Sequence, residues 1–349
     1  MRYRRSTAEV ALERARKRLY AIAGGSHDSG NPRLARMTLS QRIEFWQTPE
    51  FVAYLAALKA AGVTPFHLKD VDKTQGAGDA FTFMFKLRAD EGWFSRRQRK
   101  SIADFLRERS TIANPSRKDL TPHALLREWI RHEETGEGIE MMDFWRIYWK
   151  SQLGLTKAEK LAQVTACAPL YANKVFPGVR EENQLLTELG VEVVIVSNGD
   201  QELAIAIAPQ MGIKPENVVG SHLKYDKNGV SIGVNHSYEV FGDDWMTRPQ
   251  PGKTLSFHYW LHRERARFFR DRINEDRFVI LARDGDSAST DGGMMVHGHD
   301  AKIGNFMVAV PHEPRRIEKF YPMMDKYGWT CGNFITLVQE PSATGFKPD

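Results

Sequence analysis

Cysteine is scarce in this sequence, and long apolar runs are missing from it. The two cysteines, Cys167 and Cys331, form neither a metal-ligand spacing nor a disulfide framework, so we expect a protein of the reducing cytoplasm. No run reaches the roughly 18 apolar residues of a membrane-spanning helix, so we expect no membrane span. The arginine-rich N-terminus lacks the apolar stretch of a secretory signal, and we expect none there.

Excess positive charge is also missing from most of the chain, although the net charge is +5. The first 18 residues hold seven basic and two acidic side chains, so this tail alone accounts for that charge. The basic residues of the tail are Arg2, Arg4, Arg5, Arg14, Arg16, Lys17 and Arg18. A nucleic-acid groove would spread its basic residues over a fold. We therefore favour a solvated basic helix over a nucleic-acid-binding arm.

The apolar pattern divides the chain into four predicted parts. Residues 1–61 form a basic helical extension, and residues 87–173 show the three- and four-residue spacing of helices throughout. In residues 62–86 and 174–312, helices alternate with apolar strands, which predicts an α/β core with a mostly parallel sheet. Residues 313–349 form a C-terminal tail that we expect to pack on this core. Ligands of such sheets bind beyond the carboxyl ends of the strands.

Two carboxylates stand two residues apart where the predicted strand 63–69 ends, in the motif DVDKT. Asp70 can attack phosphorus and form an aspartyl phosphate. Asp72 can protonate the leaving oxygen and later deprotonate a water molecule, which requires a raised pKa. A solvated acidic loop is the alternative interpretation of this motif.

Two further motifs carry groups that suit a phosphate. Ser197 and Asn198 follow the strand VEVVIV, where a hydroxyl and backbone N–H groups can hold a phosphoryl oxygen or simply cap a helix. Lys253 precedes a predicted helix over 255–273, where its ammonium group can neutralise phosphate or remain solvated.

The last motif is RDGDSASTD, which follows the strand FVILA. Asp286 and Asp291 place carboxylates at this strand end, and carboxylate oxygens suit a hard cation such as Mg²⁺. An acidic loop without a metal is again the alternative.

Together the four motifs, in this order and at these junctions, resemble the haloacid-dehalogenase (HAD) superfamily, and DVDKT is similar to its phosphoserine-phosphatase-like branch. The resemblance implies that Asp70 is the nucleophile and Asp72 the general acid and base. It implies that Thr74 steadies the motif loop and contributes to phosphate binding with Ser197, Asn198 and Lys253. It also implies a magnesium site of Asp70, Asp286 and the backbone carbonyl of Asp72, with Asp291 either as a further ligand or as a hydrogen-bond partner of a ligand.

A Rossmann-like core with an all-helical C1-type cap inserted after the first motif is the fold that this resemblance implies. The implied function is Mg²⁺-dependent hydrolysis of a small phosphorylated metabolite. The longer GDSxxTD form of the last motif is similar to the phosphorylcholine-phosphatase group, and Asp79 stands where phosphoserine phosphatases have an acidic substrate contact. A phosphotransferase with the same intermediate is one alternative. A non-catalytic HAD-fold binding module that uses the basic tail is another.

Several residues depart from the simplest form of these patterns. Gln75 stands where the family has an apolar residue, and His67 and Lys69 add polar groups to the predicted strand. An aromatic-rich patch in the helical part can form a cage for a quaternary ammonium group, although such helical spacing is more typical of a core. Its residues are Trp129, Phe144, Trp145, Tyr148 and Trp149.

Overall fold

A computed structural model describes most of the chain, namely residues 6–24, 35–109, 116–235, 252–261, 278–296, 301–309, 314–327 and 334–339. Four features singled out in the sequence lie partly or wholly outside these residues. Cys331 is not described, and the predicted C-terminal tail is described only at residues 314–327 and 334–339. Arg2, Arg4 and Arg5 of the basic tail are not described, and the helix predicted over 255–273 is described only up to Leu261.

The strands of the described residues form one eight-stranded sheet. They are β1 Arg36–Thr38, β2 Thr64–Lys69, β3 Glu192–Asp200, β4 Val218–Tyr225, β5 Ser231–Asn235, β6 Phe278–Gly285, β7 Gly304–Ala309 and β8 Phe334–Val338. Their order across the sheet is β1-β8-β7-β6-β2-β3-β4-β5. All neighbouring strands are parallel except β4 and β5, an antiparallel pair whose connection contains Asn228-Gly229, a dipeptide that predicts a hairpin turn. The sheet confirms the predicted α/β class.

The helices of the described residues connect these strands. The α-helices are α1 Thr7–Ile22, α2 Leu39–Trp46, α3 Pro49–Ala60, α4 Ala80–Asp90, α5 Arg96–Arg109, α6 Pro122–Thr135, α7 Met141–Lys150, α8 Lys157–Tyr171, α9 Val179–Glu188, α10 Gln201–Ile207, α11 Gly252–Tyr259, α12 Ala288–Val296 and α13 Tyr321–Tyr327. Short 3₁₀ helices cover Arg117–Asp119, Ala172–Lys174, Ala208–Met211, Pro215–Asn217 and Pro314–Phe320. None of the helices within these ranges is long and apolar enough to cross a membrane.

Strand β2 lies in the middle of the sheet, between β6 and β3, and its two faces differ in chemistry. Successive side chains of a strand point to opposite faces. Phe66 and Leu68 belong to an apolar cluster that includes Phe257 of α11. His67 and Lys69 face the other side, where helices α2 and α9 cover the sheet with polar partners. These polar partners explain why β2, although buried, contains His67 and Lys69.

The N-terminal and C-terminal parts of the chain both add strands to the sheet. β1 pairs with β8, and β8 pairs with β7, so residues before 61 and after 313 extend the core sheet at one edge. Helix α1 starts with a capping box between Ser6 and Glu9, and α2 starts with one between Thr38 and Gln41. These parts contribute strands as well as the predicted helices, and the division into four units stays a prediction.

Between β2 and β3 the chain forms the helices α4 to α9, and we call α4 to α8 the helical insert. Four of its helices lie where the three- and four-residue spacing predicted them, with ends that differ by a few residues. The aromatic-rich patch is buried, as expected for a core, and Trp129 stacks on Phe144 with an interplanar angle of 9°. Two members of this patch, Trp129 and Trp145, also line the cavity described below.

Candidate active site

The sequence motifs meet at one edge of the sheet because parallel strands end there together. Asp70 follows β2, Asp286 follows β6, and Ser197 lies in the last part of β3. Lys253 is the second residue of helix α11. A cavity of about 510 Å³ opens at this edge and is lined by all four of these side chains.

Two kinds of wall enclose the cavity. One wall comes from the strand ends, their loops, the first turns of α11 and α12 and the 3₁₀ helix Pro314–Phe320; its residues are Asp70, Asp72, Lys73, Asp79, Ser197, Asn198, Gly199, Lys253, Asp286, Ser287, Ala288, Thr290 and Lys319. The helical insert contributes Phe81, Trp129, His132, Glu133, Gly136, Met141 and Trp145. A space of this size, with apolar walls and a few convergent charges, is typical of a small-molecule site.

Lys253 joins two carboxylates at the base of the cavity. Its ammonium group donates to Asp70 Oδ1 and, at 2.5 Å, to Asp291 Oδ1. Burial alone would lower the pKa of Lys253, but Asp291 and Asp70 outweigh burial and raise it, so the lysine stays charged. Burial also raises the pKa of Asp70; Lys253 opposes this shift, and the Asp291 carboxylate adds to it.

Asp70, Asp286 and Asp291 form a compact set of oxygen ligands. Each offers one carboxylate oxygen, and the three oxygens lie within 4.8 Å of one another in buried surroundings. Lys253 contributes one positive charge against three carboxylates, so the set has an excess of two negative charges when ionised. Oxygen donors with this excess fit a divalent hard cation such as Mg²⁺.

The turn after β6 holds Asp291 in place through the backbone. Asp291 Oδ2 accepts hydrogen bonds from the backbone N–H groups of Asp286 at 2.9 Å and Ser287 at 3.0 Å. Gly285 makes this approach feasible, because a Cβ at that position would lie 2.5 Å from Asp291 Cβ. Gly285 therefore leaves the space that Asp291 needs to reach these two N–H groups.

Asp72 lies beside the nucleophile position in a setting that suits an acid. Its Oδ1 accepts the backbone N–H of Ala80 at 2.6 Å, which fixes the carboxyl group at the start of α4. Burial and the nearby Asp79 carboxylate raise the pKa of Asp72 to about 7, against the opposing effect of the Ala80 N–H. A carboxyl group with this pKa can both give and take a proton near neutrality.

Ser197 and Asn198 line the cavity, as predicted, but neither caps a helix. Ser197 Oγ accepts the N–H of Gly199 at 2.9 Å, while Asp200 caps helix α10 by accepting the N–H of Leu203. The capping alternative for Ser197 is therefore wrong.

Thr74 is buried but is not among the residues that line the cavity. Its carbonyl oxygen accepts a hydrogen bond from Gln339 Nε2 at 2.9 Å. Among the described residues its hydroxyl has no hydrogen-bond partner. The neighbouring Gln75 accepts a hydrogen bond from Asn183 Nδ2 at 3.1 Å, which explains a polar residue at that position.

Lys73 and Glu133 are cavity residues that sequence reasoning missed. Lys73 Nζ lies 3.7 Å from Asp79 and 3.3 Å from Glu133, and its backbone adopts the left-handed region at φ 55°. Lys73 stands inside the DVDKT motif, so its position in the sequence was a usable signal. Glu133 lies on an ordinary helix, α6, and its sequence context carries no signal of this role.

A buried ion network lies behind the motif loops, under the cavity. It consists of Arg42 of α2, His67 and Lys69 of β2, Glu182 of α9 and Asp284 of β6, all at most 1% exposed. Burial would raise the pKa of Glu182, but Arg42 and Lys69 reverse this and lower it to about 2. Burial lowers the pKa of His67, so its imidazole is neutral at pH 7. The network is therefore balanced, with two cations and two anions.

A second buried cluster ties the helical insert to the end of β3. Asp200 accepts hydrogen bonds from Lys160 of α8, from Tyr148 at 2.7 Å and from Gln152 at 3.1 Å. This contact lies directly after Ser197, Asn198 and Gly199 in the sequence, so the insert is anchored close to the cavity.

Comparisons with known proteins were made at three levels. No protein-family model matches the chain, and no curated protein matches it. Among solved structures, the chain is similar to a conserved protein of unknown function from Anaerococcus prevotii, with a TM-score of 0.48, 13% identity and coverage of 81% of this chain and 89% of that one.

Two further similar structures carry names of phosphatases. A phosphoserine phosphohydrolase-like protein from Francisella tularensis has a TM-score of 0.41, 14% identity and coverage of 74% of this chain and 93% of that one. Cytosolic 5'-nucleotidase IIIB bound to cytidine has a TM-score of 0.44, 14% identity and coverage of 87% and 92%.

Proposed function

We propose that the chain is a magnesium-dependent phosphatase of the HAD type that hydrolyses small phosphomonoesters through a phosphorylated Asp70. The observation that carries this proposal is the contact of Lys253 with Asp70 and Asp291, beside Asp286, at the carboxyl ends of the strands. These groups come from three separate parts of the sequence, and phosphoryl transfer needs all of them in one place.

The first step transfers the phosphoryl group to the protein. An Asp70 oxygen attacks phosphorus, a bond forms between them, and the bond from phosphorus to the leaving oxygen breaks. The proton of the Asp72 carboxyl group goes to that leaving oxygen, so the product departs as a neutral alcohol. Lys253 and the backbone around Ser197 bind the phosphoryl oxygens, where negative charge is concentrated.

The second step returns the protein to its starting state. The Asp72 carboxylate takes a proton from a water molecule, and the water oxygen attacks phosphorus. The bond between phosphorus and Asp70 breaks, which releases inorganic phosphate and leaves Asp72 protonated. The raised pKa of Asp72, about 7, supports this double use of one carboxyl group.

Asp70, Asp286 and Asp291 would hold the Mg²⁺ ion, together with the backbone carbonyl of Asp72. The bound ion would supply positive charge that reduces the repulsion between the Asp70 carboxylate and a phosphate dianion. The excess of carboxylates over ammonium groups in this part of the cavity supports the assignment.

The wall opposite the nucleophile supports a substrate class. Asp79 and Glu133 bring two carboxylates to the cavity, and the Lys73 ammonium group lies within 4 Å of both, so these three side chains together carry one net negative charge. The net negative charge favours a leaving group with an ammonium centre, as in phosphorylcholine or phosphoserine, and the indole and phenyl walls suit its methylene or methyl groups.

Phosphate release from a panel of esters tests the proposal. The panel holds phosphoserine, phosphorylcholine, phosphoethanolamine, neutral sugar phosphates and a chromogenic ester, each with and without Mg²⁺. We expect turnover that requires Mg²⁺ and is lost in Asp70→Asn, with the ammonium-bearing esters as the best substrates. A folded, metal-binding protein that hydrolyses none of these esters would contradict the proposal.

Two other outcomes identify the alternatives. Turnover that appears only when an acceptor alcohol is added indicates a phosphotransferase with the same intermediate. Salt-sensitive retention on heparin, lost when Arg2, Arg4 and Arg5 are replaced by serine, indicates a binding module if no ester is hydrolysed. The joint presence of Asp70, Asp72, Lys253 and Asp286 in one cavity supports the enzyme over the binding module.

A further inference from the structure

The buried ion network connects the N-terminal helix α2 to the strands that carry the catalytic carboxylates. Arg42 binds Glu182 through two nitrogens at 2.6 and 2.7 Å, and binds both oxygens of Asp284 at 2.9 Å. Lys69 donates to Glu182 at 2.5 Å, and His67 Nε2 lies 2.7 Å from Asp284 Oδ1. One guanidinium group therefore bridges α9 and β6.

At most one residue separates this network from the reacting groups in the sequence. Lys69 directly precedes Asp70, and Asp284 stands two residues before Asp286. The N–H of Asp70 donates to the carbonyl oxygen of Asp284 at 3.1 Å, and Lys69 pairs with Asp284 in the sheet. A shift of Asp284 is therefore transmitted to both catalytic aspartates through the backbone.

The geometry of the network depends on Arg42. Its planar guanidinium group holds two carboxylates at once in fork-like pairs, which an ammonium group cannot reproduce. Without Arg42, Glu182 and Asp284 would share the single charge of Lys69 in a site closed to water. They would have to move apart or rotate, and the ends of β2 and β6 would move with them.

We propose that Arg42 is a positioning residue, which sets the spacing of Asp70 and Asp286 through Glu182 and Asp284. The N-terminal segment that carries it is thus a functional part of the active site, although none of its described residues lines the cavity. This inference rests on the proposed function for its kinetic readout, and a hydrogen-exchange readout tests it independently of any activity.

The first test compares Arg42→Met and Arg42→Lys with the wild-type chain. We expect kcat to fall about 100-fold in Arg42→Met, since displacements near 1 Å have such effects, while KM stays within about threefold. Arg42→Lys keeps the charge but lacks the double fork, so its kcat should lie well below the wild-type value. Exchange at the Asp70 amide, followed in a peptide over 66–74, should become faster in both variants.

Two further variants separate positioning from general stability. Leu106→Ala changes a fully buried residue of α5, a helix that carries no network residue and none of whose residues lines the cavity, and it should lower Tm without altering kcat or the exchange of peptide 66–74. Arg42→Met combined with Glu182→Gln removes one cation and one anion, which restores neutrality and favours folding.

The combined variant distinguishes a positioning role of Arg42 from a role in charge neutralisation alone. A folded double variant with low kcat and fast exchange at Asp70 supports positioning. Full recovery of kcat and of amide protection would show that Arg42 only neutralises charge, and would overturn the inference. If the wild-type chain hydrolyses no ester, the proposed function fails. The exchange comparison still tests the positioning role of Arg42, because unchanged protection of the Asp70 amide in both Arg42 variants would overturn that role.

Discussion

Lys73 and Glu133 form an ion pair across the cavity. The Lys73 ammonium group lies 3.3 Å from both carboxylate oxygens of Glu133, which joins the loop of Asp70 and Asp72 to helix α6. The Lys73 side chain is 2% exposed and that of Glu133 is 28% exposed, so the pair closes one side of the cavity. Lys73 also has φ 55°, a strained value for a residue other than glycine, as is common at functional sites.

Glu133→Gln should weaken binding of esters that carry an ammonium group. The variant keeps the shape of the side chain but removes one of the two carboxylates that face this group. We expect KM for phosphorylcholine to rise about tenfold, or ~1.4 kcal/mol, with little change for a neutral sugar phosphate. Steady-state kinetics on both esters measure the difference, and Glu137→Gln, at an exposed site just after α6, is the control. Equal changes for the two esters would contradict this role.

Asp72→Asn should have an effect that depends on the leaving group. An alkoxide needs a proton to depart, whereas nitrophenolate leaves without one, so the first turnover should slow by about 100-fold or more only for alkyl phosphates. Asparagine cannot take a proton from water, so the phosphorylated protein should accumulate. Rapid mixing with nitrophenyl phosphate should therefore show a burst of nitrophenol close to the enzyme concentration. Equal slowing of the first turnover for both esters would rule out an acid role for Asp72.

Gly285→Ala should weaken magnesium binding although it replaces none of the carboxylate residues. The added methyl group would lie 2.5 Å from Asp291 Cβ and 2.7 Å from its Cγ, so Asp291 must leave its bonds to the N–H groups of Asp286 and Ser287. We expect the Mg²⁺ concentration at half-maximal activity to rise about tenfold. Adding Asp291→Asn to Gly285→Ala should change this concentration little further, because the two substitutions remove the same interaction.

A matched glycine controls this experiment. A methyl group at Gly304, on the neighbouring strand β7, would meet no atom closer than 3.9 Å. Gly304→Ala should therefore keep the wild-type magnesium dependence. If Gly285→Ala and Gly304→Ala show the same Mg²⁺ dependence of activity, magnesium binding does not depend on the position of Asp291, which would contradict the prediction.

Glu202→Gln should stabilise the protein at high pH more than at low pH. Burial and the nearby Asp200 carboxylate raise the pKa of Glu202 to about 7 from its ordinary value of 4.5. The folded chain thus binds this proton more tightly than the unfolded chain does. The free energy of unfolding contributed by Glu202 therefore falls as pH rises from about 4.5 to about 7.

The measurement is Tm at pH 5 and at pH 8 for the wild-type chain and the variant. The Tm gain of Glu202→Gln should be larger at pH 8, because glutamine never bears the buried charge. Glu216→Gln, at an exposed position, should show no such difference. A gain that is independent of pH, or larger at pH 5, would contradict the raised pKa.

Much of the fold was predictable from local patterns. The apolar strand VEVVIV became β3, the strand FVILA became the first part of β6, and the Asn228-Gly229 turn became the β4–β5 hairpin. Helix spacing located α5 to α8 because amphipathic periodicity is a local property of the sequence. The short strands β1 and β8 were not predicted, since three to five residues carry too little pattern without their partner.

The candidate site was also predictable only in part from the sequence. The order of DVDKT, Ser197, Lys253 and Asp286 in the sequence was sufficient to predict their meeting, because parallel strands bring their carboxyl ends to one edge. Glu133 was missed because nothing in α6 marks it as a cavity residue. The predicted contribution of Thr74 to phosphate binding gains no support from the cavity, whose lining does not include it.

By itself, therefore, the sequence determined the α/β class, the positions of the motifs and the identity of the groups on which the proposed chemistry depends. Tertiary structure alone decided which distant charges support them. Arg42 meets Glu182 across 140 positions and Asp284 across 242. The physical reason is that chemistry depends on residue type and local order, whereas the pairing of buried charges depends on which faces of helices and strands pack together.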